Sequence, residues 1–282
     1  MSFSQEIEKT VERALAEDLA WGDITTQSLV PPELTGQGTL LVKARGVLAG
    51  MEIAALVFRK VDPDVELEIR ARDGERVEPG TAAGVARGRV RSLLMAERTA
   101  LNFLSRLSGI ATETSRYVEA VAGTGCVIAD TRKTAPGLRL LDKAAVRAGG
   151  GKNHRSHLGD GILIKDNHWQ ALRLQGLSLE EGIRRVRAEA HHLLKIEVEV
   201  KNLVEAEEAV RAGADWLLLD NMTPEAMEHV VKALRGKVRF EASGGIDLST
   251  VRRVADTGVD VISVGALTHS PRALDISLEL EY

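Results

Sequence analysis

At 282 residues the chain is long enough to bury a full hydrophobic core, as a barrel or a barrel with a smaller appendage. Its formal charge of −4 is spread along the sequence, which excludes a nucleic-acid footprint and a basic membrane surface, so affinity for anions must come from local clusters. The single cysteine, Cys126, excludes a disulfide framework and a multi-cysteine metal site; with no apolar leader and no run long enough to span a bilayer, a soluble cytoplasmic protein is expected.

From Phe3 to Leu19, Ile7, Val11, Ala14 and Leu15 recur at helical spacing, and Trp21-Gly22-Asp23 stops the helix. Thr39–Ala44 and Val65–Ala71 alternate like half-buried strands, and the turn signals Asp73-Gly74 and Pro79-Gly80 precede another short strand, completing a small α+β unit. Ser92–Leu107 reads as a long helix that buries Leu93, Leu94, Leu101, Leu104 and Leu107 and ends at Gly109. From Cys126 the rhythm changes to short apolar runs alternating with amphipathic helices: Cys126–Asp130, Ile162–Lys165, Ile196–Val200, Trp216–Leu219, Val238–Ala242 and Val261–Val264. Such alternation marks successive βα units on a parallel sheet, either part of a barrel or an open doubly wound sheet. Helix starts are signalled by Ser178 with Glu181 and by Thr223-Pro224, and helix stops by Gly213, Gly236 and Gly258.

Most of these strands end in polar residues: Thr131-Arg132-Lys133, Lys165-Asp166, Glu199, Asp220, Ser243-Gly244-Gly245 and, after Ser263-Val264, Gly265. In a barrel all such ends converge on the face that carries the active site. Arg132, Lys133, Lys165 and the loop pair His154-Arg155 supply positive charge, and Glu199 and Asp220 supply carboxylates on neighbouring strands. A polyanionic substrate held by the first group, with Mg²⁺ bridging it to the second, would use both signs. The glycine turns after the last two strands suit a phosphate, because backbone N–H groups can approach it there. Gly149-Gly150-Gly151-Lys152-Asn153-His154-Arg155 reads as a loop, flexible at its start, that could close over a ligand. Arg98 lies one helical turn from Leu94 and Leu101, beside a stripe that should be buried, and there needs an anionic partner or a route to the surface.

Taken in order, these stretches resemble the quinolinate phosphoribosyltransferase family: Ala16-Glu17-Asp18-Leu19 with Gly22-Asp23-Ile24-Thr25, Glu97-Arg98-Thr99, Asp130-Thr131-Arg132-Lys133-Thr134, Asn153-His154-Arg155, Ile164-Lys165-Asp166-Asn167-His168, Asp220-Asn221 and Glu241-Ala242-Ser243-Gly244-Gly245-Ile246. The resemblance implies an α/β protein with an N-terminal α+β domain over residues 1–111. A C-terminal helix, over about 268–282, rejoins that domain, and residues 112–267 form an incomplete α/β (TIM-like) barrel. It also implies a homodimer or higher oligomer with active sites between subunits, Arg98 reaching into the partner's barrel. By the same carry-over Thr131, Arg132, Lys133, His154, Arg155 and Lys165 bind quinolinate and phosphates, and Glu199 and Asp220 hold ribose hydroxyls and Mg²⁺. Ser243, Gly244, Gly245, Ser263, Val264 and Gly265 would cradle phosphate. The family commonly has a glycine where this chain has His157.

Other readings remain at this stage. Lys165 could be the nucleophile of a Schiff-base aldolase, Val65–Val90 could belong to a small carrier or binding module, and a related phosphoribosyltransferase could take another acceptor.

Overall fold

The helical spacing near the N-terminus produces α1 (Gln5–Leu19), with Val11 and Leu15 buried. The computed structural model describes residues 5–282, so the expected start at Phe3 lies outside the described residues. Asp23 both follows the stop and caps the next helix, α2 (Ile24–Leu29), its carboxylate accepting the Thr26 N–H at 2.9 Å. There follow β1 (Thr35–Val42), β2 (Gly46–Val47), α3 (Met51–Val61), β3 (Glu66–Ile69), β4 (Arg76–Val77) and β5 (Ala82–Arg89), then α4 (Val90–Ala120), β6 (Val127–Ala129) and α5 (Arg139–Ala148). The βα alternation continues as β7 (Ile162–Ile164), α6 (Asp166–Leu174), α7 (Leu179–Glu189), β8 (Ile196–Val200), α8 (Leu203–Arg211), β9 (Trp216–Asp220), α9 (Pro224–Leu234), β10 (Arg239–Ser243), α10 (Val251–Ala255) and β11 (Val261–Ser263). A short α11 (Ala266–His269) and β12 (Ile276–Glu281) end the chain.

Two units result, one holding the residues up to Ser115 with Thr134–Gly150 and Ala266–Tyr282, the other Arg116–Lys133 with Gly151–Gly265. In the first, an antiparallel sheet runs β12-β1-β5-β3. The C-terminal segment expected as a helix instead ends in a strand: Ile276 and Leu278 alternate into the core while Ser277 and Glu279 point away, the period-2 pattern of a strand lying on β1. α5 belongs to this unit as well, although the sequence places it in the barrel. Its fully buried Asp142 accepts a forked pair from Arg106 on α4, at 3.0 and 2.9 Å, and the Ala135 N–H at 3.0 Å.

α4 does not stop at Gly109 but continues to Ala120. Gly109 has another purpose, because the Arg272 carbonyl comes down on its Cα so closely that a Cβ would sit 2.9 Å from the carbonyl carbon. The glycine is selected by close approach inside a helix, a signal that looks like a helix stop in one dimension.

The second unit is a six-stranded parallel sheet in the order β6-β11-β10-β9-β8-β7. Strands β7 to β11 lie side by side in chain order, β6 lies beyond β11, and the edges β6 and β7 do not pair among the described residues, giving the incomplete α/β barrel. One face of the arc is wholly apolar and buried: Ile196, Val198, Val200, Leu217, Leu219, Phe240, Ala242 and Ile262. Since side chains alternate, the opposite face receives Glu197, Glu199, Asp220, Glu241, Ser243 and Ser263. The helix starts follow the expected chemistry, with a reciprocal Ser178–Glu181 capping box on α7 and Thr223-Pro224 opening α9.

Replacing Gly109 by alanine should force the Arg272 backbone to move and cost about 1–3 kcal/mol. That is a fall of several degrees in the thermal unfolding midpoint. Gly159→Ala, with nothing within 4 Å of its added carbon, should leave the midpoint unchanged.

Candidate active site

The polar ends of the parallel strands meet in register. Asp220 on β9 lies beside Ser243 on β10, and Ser243 beside Ser263 on β11, which in turn neighbours Ala129 on β6. Ser263 is buried, and the Val264 N–H donates to the Ala129 carbonyl at 2.9 Å, so this end of β11 is fixed before the chain turns at Gly265. Gly244 and Gly245 both adopt left-handed backbone, at φ 94° and 62°. Around the sheet the order is therefore cationic β6, small polar turns on β11 and β10, carboxylates on β9 and β8, and Lys165 after β7.

Lys165 pairs with Glu199 across β7 and β8 at 3.5 Å. Half of the Lys165 side chain is exposed, whereas only 8% of Glu199 is. His168 Nδ1 accepts the Lys165 backbone N–H at 2.8 Å and so fixes the first turn of α6. Lys201, just beyond β8, is a site residue that sequence reasoning misses. Its pKa is raised chiefly by Asp166, 3.1 Å away, with Glu199 and Asp220 adding to the field.

The segment after Gly151, the polar end of the expected loop, is held by hydrogen bonds. Lys152 bridges to Ala129 as a parallel extension of β6, with backbone bonds Lys152 N–H to Ile128 and Asp130 N–H to Lys152. The fully buried Asp130 accepts the Asn153 side-chain amide at 2.6 Å and the His154 N–H at 2.8 Å. Arg155 then donates to the Gly161 carbonyl at 3.2 Å. His157 is exposed, and its N–H donates to Asp160.

His154 Nε2 lies 3.4 Å from Glu197 and 3.4 Å from Glu241, carboxylates only 9% and 4% exposed. Sequence reasoning singles out neither glutamate for its charge. The available signal is their spacing, since each stands two residues before a recognised site residue, Glu199 or Ser243, on the same strand face. Burial by itself opposes a charged imidazole, but hydrogen bonds to the two carboxylates outweigh it and push His154 up to about 10. Burial also pushes the Glu197 carboxyl up, against the pull of His154. The three donor atoms lie within 4.8 Å of one another, near enough for one metal ion. Yet His154 Nδ1 faces the Arg155 backbone N–H at 2.8 Å. A metal on Nε2 would put the ring proton on Nδ1, against that donor. A second proton on the ring likewise requires that N–H to swing aside. A cavity of about 500 Å³ opens beside the trio near the starts of the strands, at Ile162, Lys195, Trp216 and Val261.

Burial lowers the Arg155 pKa, and the like charge of Arg132 lowers it further. Arg132 Nε is buried and has no hydrogen-bond partner among the described residues. Lys133 is exposed, with its N–H on Thr131 Oγ1 at 3.0 Å. Arg98 belongs to the other unit and is exposed on α4.

A parallel α/β sheet whose strand ends carry clustered cations, two carboxylates and glycine turns defines an anion-handling enzyme of the barrel class. Residues 23–108 match the model of the quinolinate phosphoribosyl transferase N-terminal domain, and residues 110–279 match that of its C-terminal domain. The chain is 44% identical over 279 residues to the nicotinate-nucleotide pyrophosphorylase [carboxylating] of Mycobacterium leprae, covering 96% of each protein. It is 37% identical over 299 residues to quinolinate phosphoribosyltransferase [decarboxylating] 1b of Nicotiana tabacum, covering 98% of this chain and 83% of the tobacco protein. A crystal structure of NadC from Streptococcus pyogenes aligns with a TM-score of 0.94 at 41% identity, over 100% of this chain and 99% of that one. The chain belongs to the quinolinate phosphoribosyltransferase family.

The raised His154 pKa has a signed consequence. A group whose pKa rises on folding contributes stability that is complete below its ordinary value of 6.5 and is lost as pH climbs through about 10. Urea unfolding at intervals from pH 6 to 10 should show that loss in the wild type and a smaller one in Glu241→Gln. Parallel pH profiles would mean that His154 is neutral in the folded protein.

Proposed function

We propose that the chain joins the pyridine nitrogen of quinolinate to the anomeric carbon of phosphoribosyl pyrophosphate, giving nicotinate mononucleotide, pyrophosphate and CO₂ in de novo NAD biosynthesis. Family membership supports the reading, and one observation carries it: the buried Arg132 Nε has no hydrogen-bond partner among the described residues, and Arg132 adds its like charge to the field at Arg155. Like charges held this way are relieved by an anion, and forked guanidinium groups suit carboxylates. A Schiff-base role for Lys165 fits less well, because such a lysine must be desolvated, whereas this one is half exposed and paired with Glu199.

In this mechanism Arg132 and Arg155, with Arg98, hold the two carboxylates of quinolinate, with Thr131 and His154 beside them. The pyridine nitrogen forms its bond to the anomeric carbon as the bond to pyrophosphate breaks, through a centre with oxocarbenium character. Lys133 and Lys165 neutralise the leaving pyrophosphate, and the turns at Ser243–Gly245 and Ser263–Gly265 offer N–H groups to phosphate oxygens. The bond to the 2-carboxylate then breaks. Its electron pair is stabilised by the adjacent pyridinium nitrogen, CO₂ departs, and the ring carbon takes a proton from water. Glu199 and Asp220 also hold the ribose hydroxyls.

Glu199 and Asp220, all-oxygen donors on neighbouring strands, fit Mg²⁺, which keeps waters and shares phosphate oxygens. When bound there it would supply charge neutralisation to the pyrophosphate. A cytoplasmic homodimer, or a higher oligomer built from it, accompanies this reading. No helix among the described residues is long and apolar enough to cross a membrane.

The acceptor is tested by supplying phosphoribosyl pyrophosphate and Mg²⁺ with quinolinate or nicotinate and measuring pyrophosphate, CO₂ and nicotinate mononucleotide. Quinolinate should yield all three in equal amounts. Nicotinate leaves cationic donors unpaired and should be rejected by on the order of 10⁴-fold. Comparable turnover of nicotinate, or pyrophosphate without CO₂, removes the carboxylating assignment.

The shared site is tested with Arg98→Ala and Lys133→Ala. Each should be nearly inactive alone, and refolding the two together should restore one intact site per mixed dimer. No recovery in mixed dimers shown to have formed would place Arg98 in its own chain's site.

A further inference from the structure

Asn221 is the sole non-glycine residue with positive φ among the described residues, at 52°. Left-handed backbone is uncommon outside glycine and is most tolerated by asparagine, whose short amide can bond locally. Three contacts use that conformation. The Asn221 backbone N–H donates to the Ser243 carbonyl at 2.9 Å, tying the turn after β9 to the end of β10. Its side-chain Nδ2 donates to Asp220 Oδ2 at 3.0 Å. Its amide also lies on the Cα of Gly244, so that a Cβ there would sit 2.6 Å from Asn221 Cγ.

Asn221 thus touches both partners that the functional reading needs in fixed relation: the Asp220 carboxylate and the glycine turn opened by Ser243. An ordinary turn would need only the backbone conformation, which glycine supplies without an amide. The donated hydrogen bond selects one orientation of the carboxylate and leaves Oδ1 as its unengaged edge. The packed amide selects a left-handed Gly244, at φ 94°, and with it the direction of the neighbouring N–H groups of the turn.

We propose that Asn221 is a positioning residue for the phosphoribosyl half of the site, locking Asp220 and the Gly244 turn into one rigid unit. It touches no reacting atom. The proposal rests on the reading that Asp220 and Ser243–Gly245 handle ribose and phosphate. It assigns Asn221 to the phosphoribosyl pyrophosphate side and not to the quinolinate side.

The test uses Asn221→Gly, which keeps the backbone conformation and removes the amide, and Asn221→Asp, which keeps the shape and sets a second carboxylate against Asp220. Removing a group that orients a ligating carboxylate costs on the order of 10–100-fold in activity. Asn221→Gly should therefore show kcat/KM for phosphoribosyl pyrophosphate reduced by about that factor. Quinolinate binding, followed by calorimetry, and the unfolding midpoint should stay near wild type. Asn221→Asp should be the more impaired variant.

Wild-type kinetics in Asn221→Gly, or equal losses on both substrates with a lowered unfolding midpoint, would overturn the proposal. A wild-type enzyme inert toward every pyridine acid would sink the functional reading instead. The locking is then judged from crystal structures of the wild type and Asn221→Gly, where Asp220 and Gly244 should take new orientations. If both keep their places without the amide, Asn221 does not lock them.

Discussion

A six-stranded parallel arc has two open edges, and the site depends on how they are bridged. The buried carboxylate of Asp130 makes the bridge. Sitting one residue past β6, it takes the Asn153 amide and the His154 N–H, holding the next stretch of chain alongside the β6 edge, where Lys152 pairs with Ala129. From there Arg155 reaches the Gly161 carbonyl just before β7, the opposite edge of the sheet. A buried acceptor must be satisfied, so both bonds also define where His154 and Arg155 can be.

Charge inside the arc depends on this placement. Arg155 is placed in the field of Arg132, where burial and that like charge lower its pKa, while His154 is placed between Glu197 and Glu241, where two carboxylates favour its protonation. The two sets are adjacent in sequence but are compensated differently. The carboxylates have the histidine inside the protein, whereas the guanidinium pair has a buried nitrogen with no internal partner among the described residues. In the proposed mechanism an incoming dianion would complete the second set. Binding energy is then concentrated where charge is uncompensated, the condition for electrostatic preorganisation.

Much of this is legible in one dimension. The six parallel strands fall within a residue or two of their expected places because Val, Ile and Leu runs of that length, spaced by capped helices, have few alternatives, and the polar residues ending each run mark the C-terminal face. The features that escape a linear reading depend on partners distant in sequence. Gly109 looks like a stop because its reason, the Arg272 carbonyl, lies far along the chain. The C-terminal strand is masked by a short apolar alternation that acquires its meaning only beside β1. Gly149 to Gly151 suggests mobility, and nothing local to that triplet reveals that Asp130 anchors Asn153 and His154 just beyond it. Glu197 and Glu241 fall in strands that otherwise read as apolar, and their pairing with one histidine needs the sheet order.

The sheet order also turns a chain sequence of mixed charges into an ordered field. Along the chain, cationic β6 and Lys165 come first, the carboxylates next and the glycine turns last. Around the arc, the turns of β10 and β11 separate the carboxylates on β8 and β9 from the cations of β6, and Lys165 flanks Glu199 from the other side. A ligand laid across the strand ends would meet positive charge at one end, N–H donors in the middle and carboxylates beyond. That gradient matches a dicarboxylate joined to a phosphorylated sugar whose hydroxyls need acceptors. Such complementarity along a line fixes orientation as well as affinity, since a reversed ligand would set carboxylate against carboxylate. Orientation is what the first chemical step demands, because the ring nitrogen must face the anomeric carbon before any bond forms.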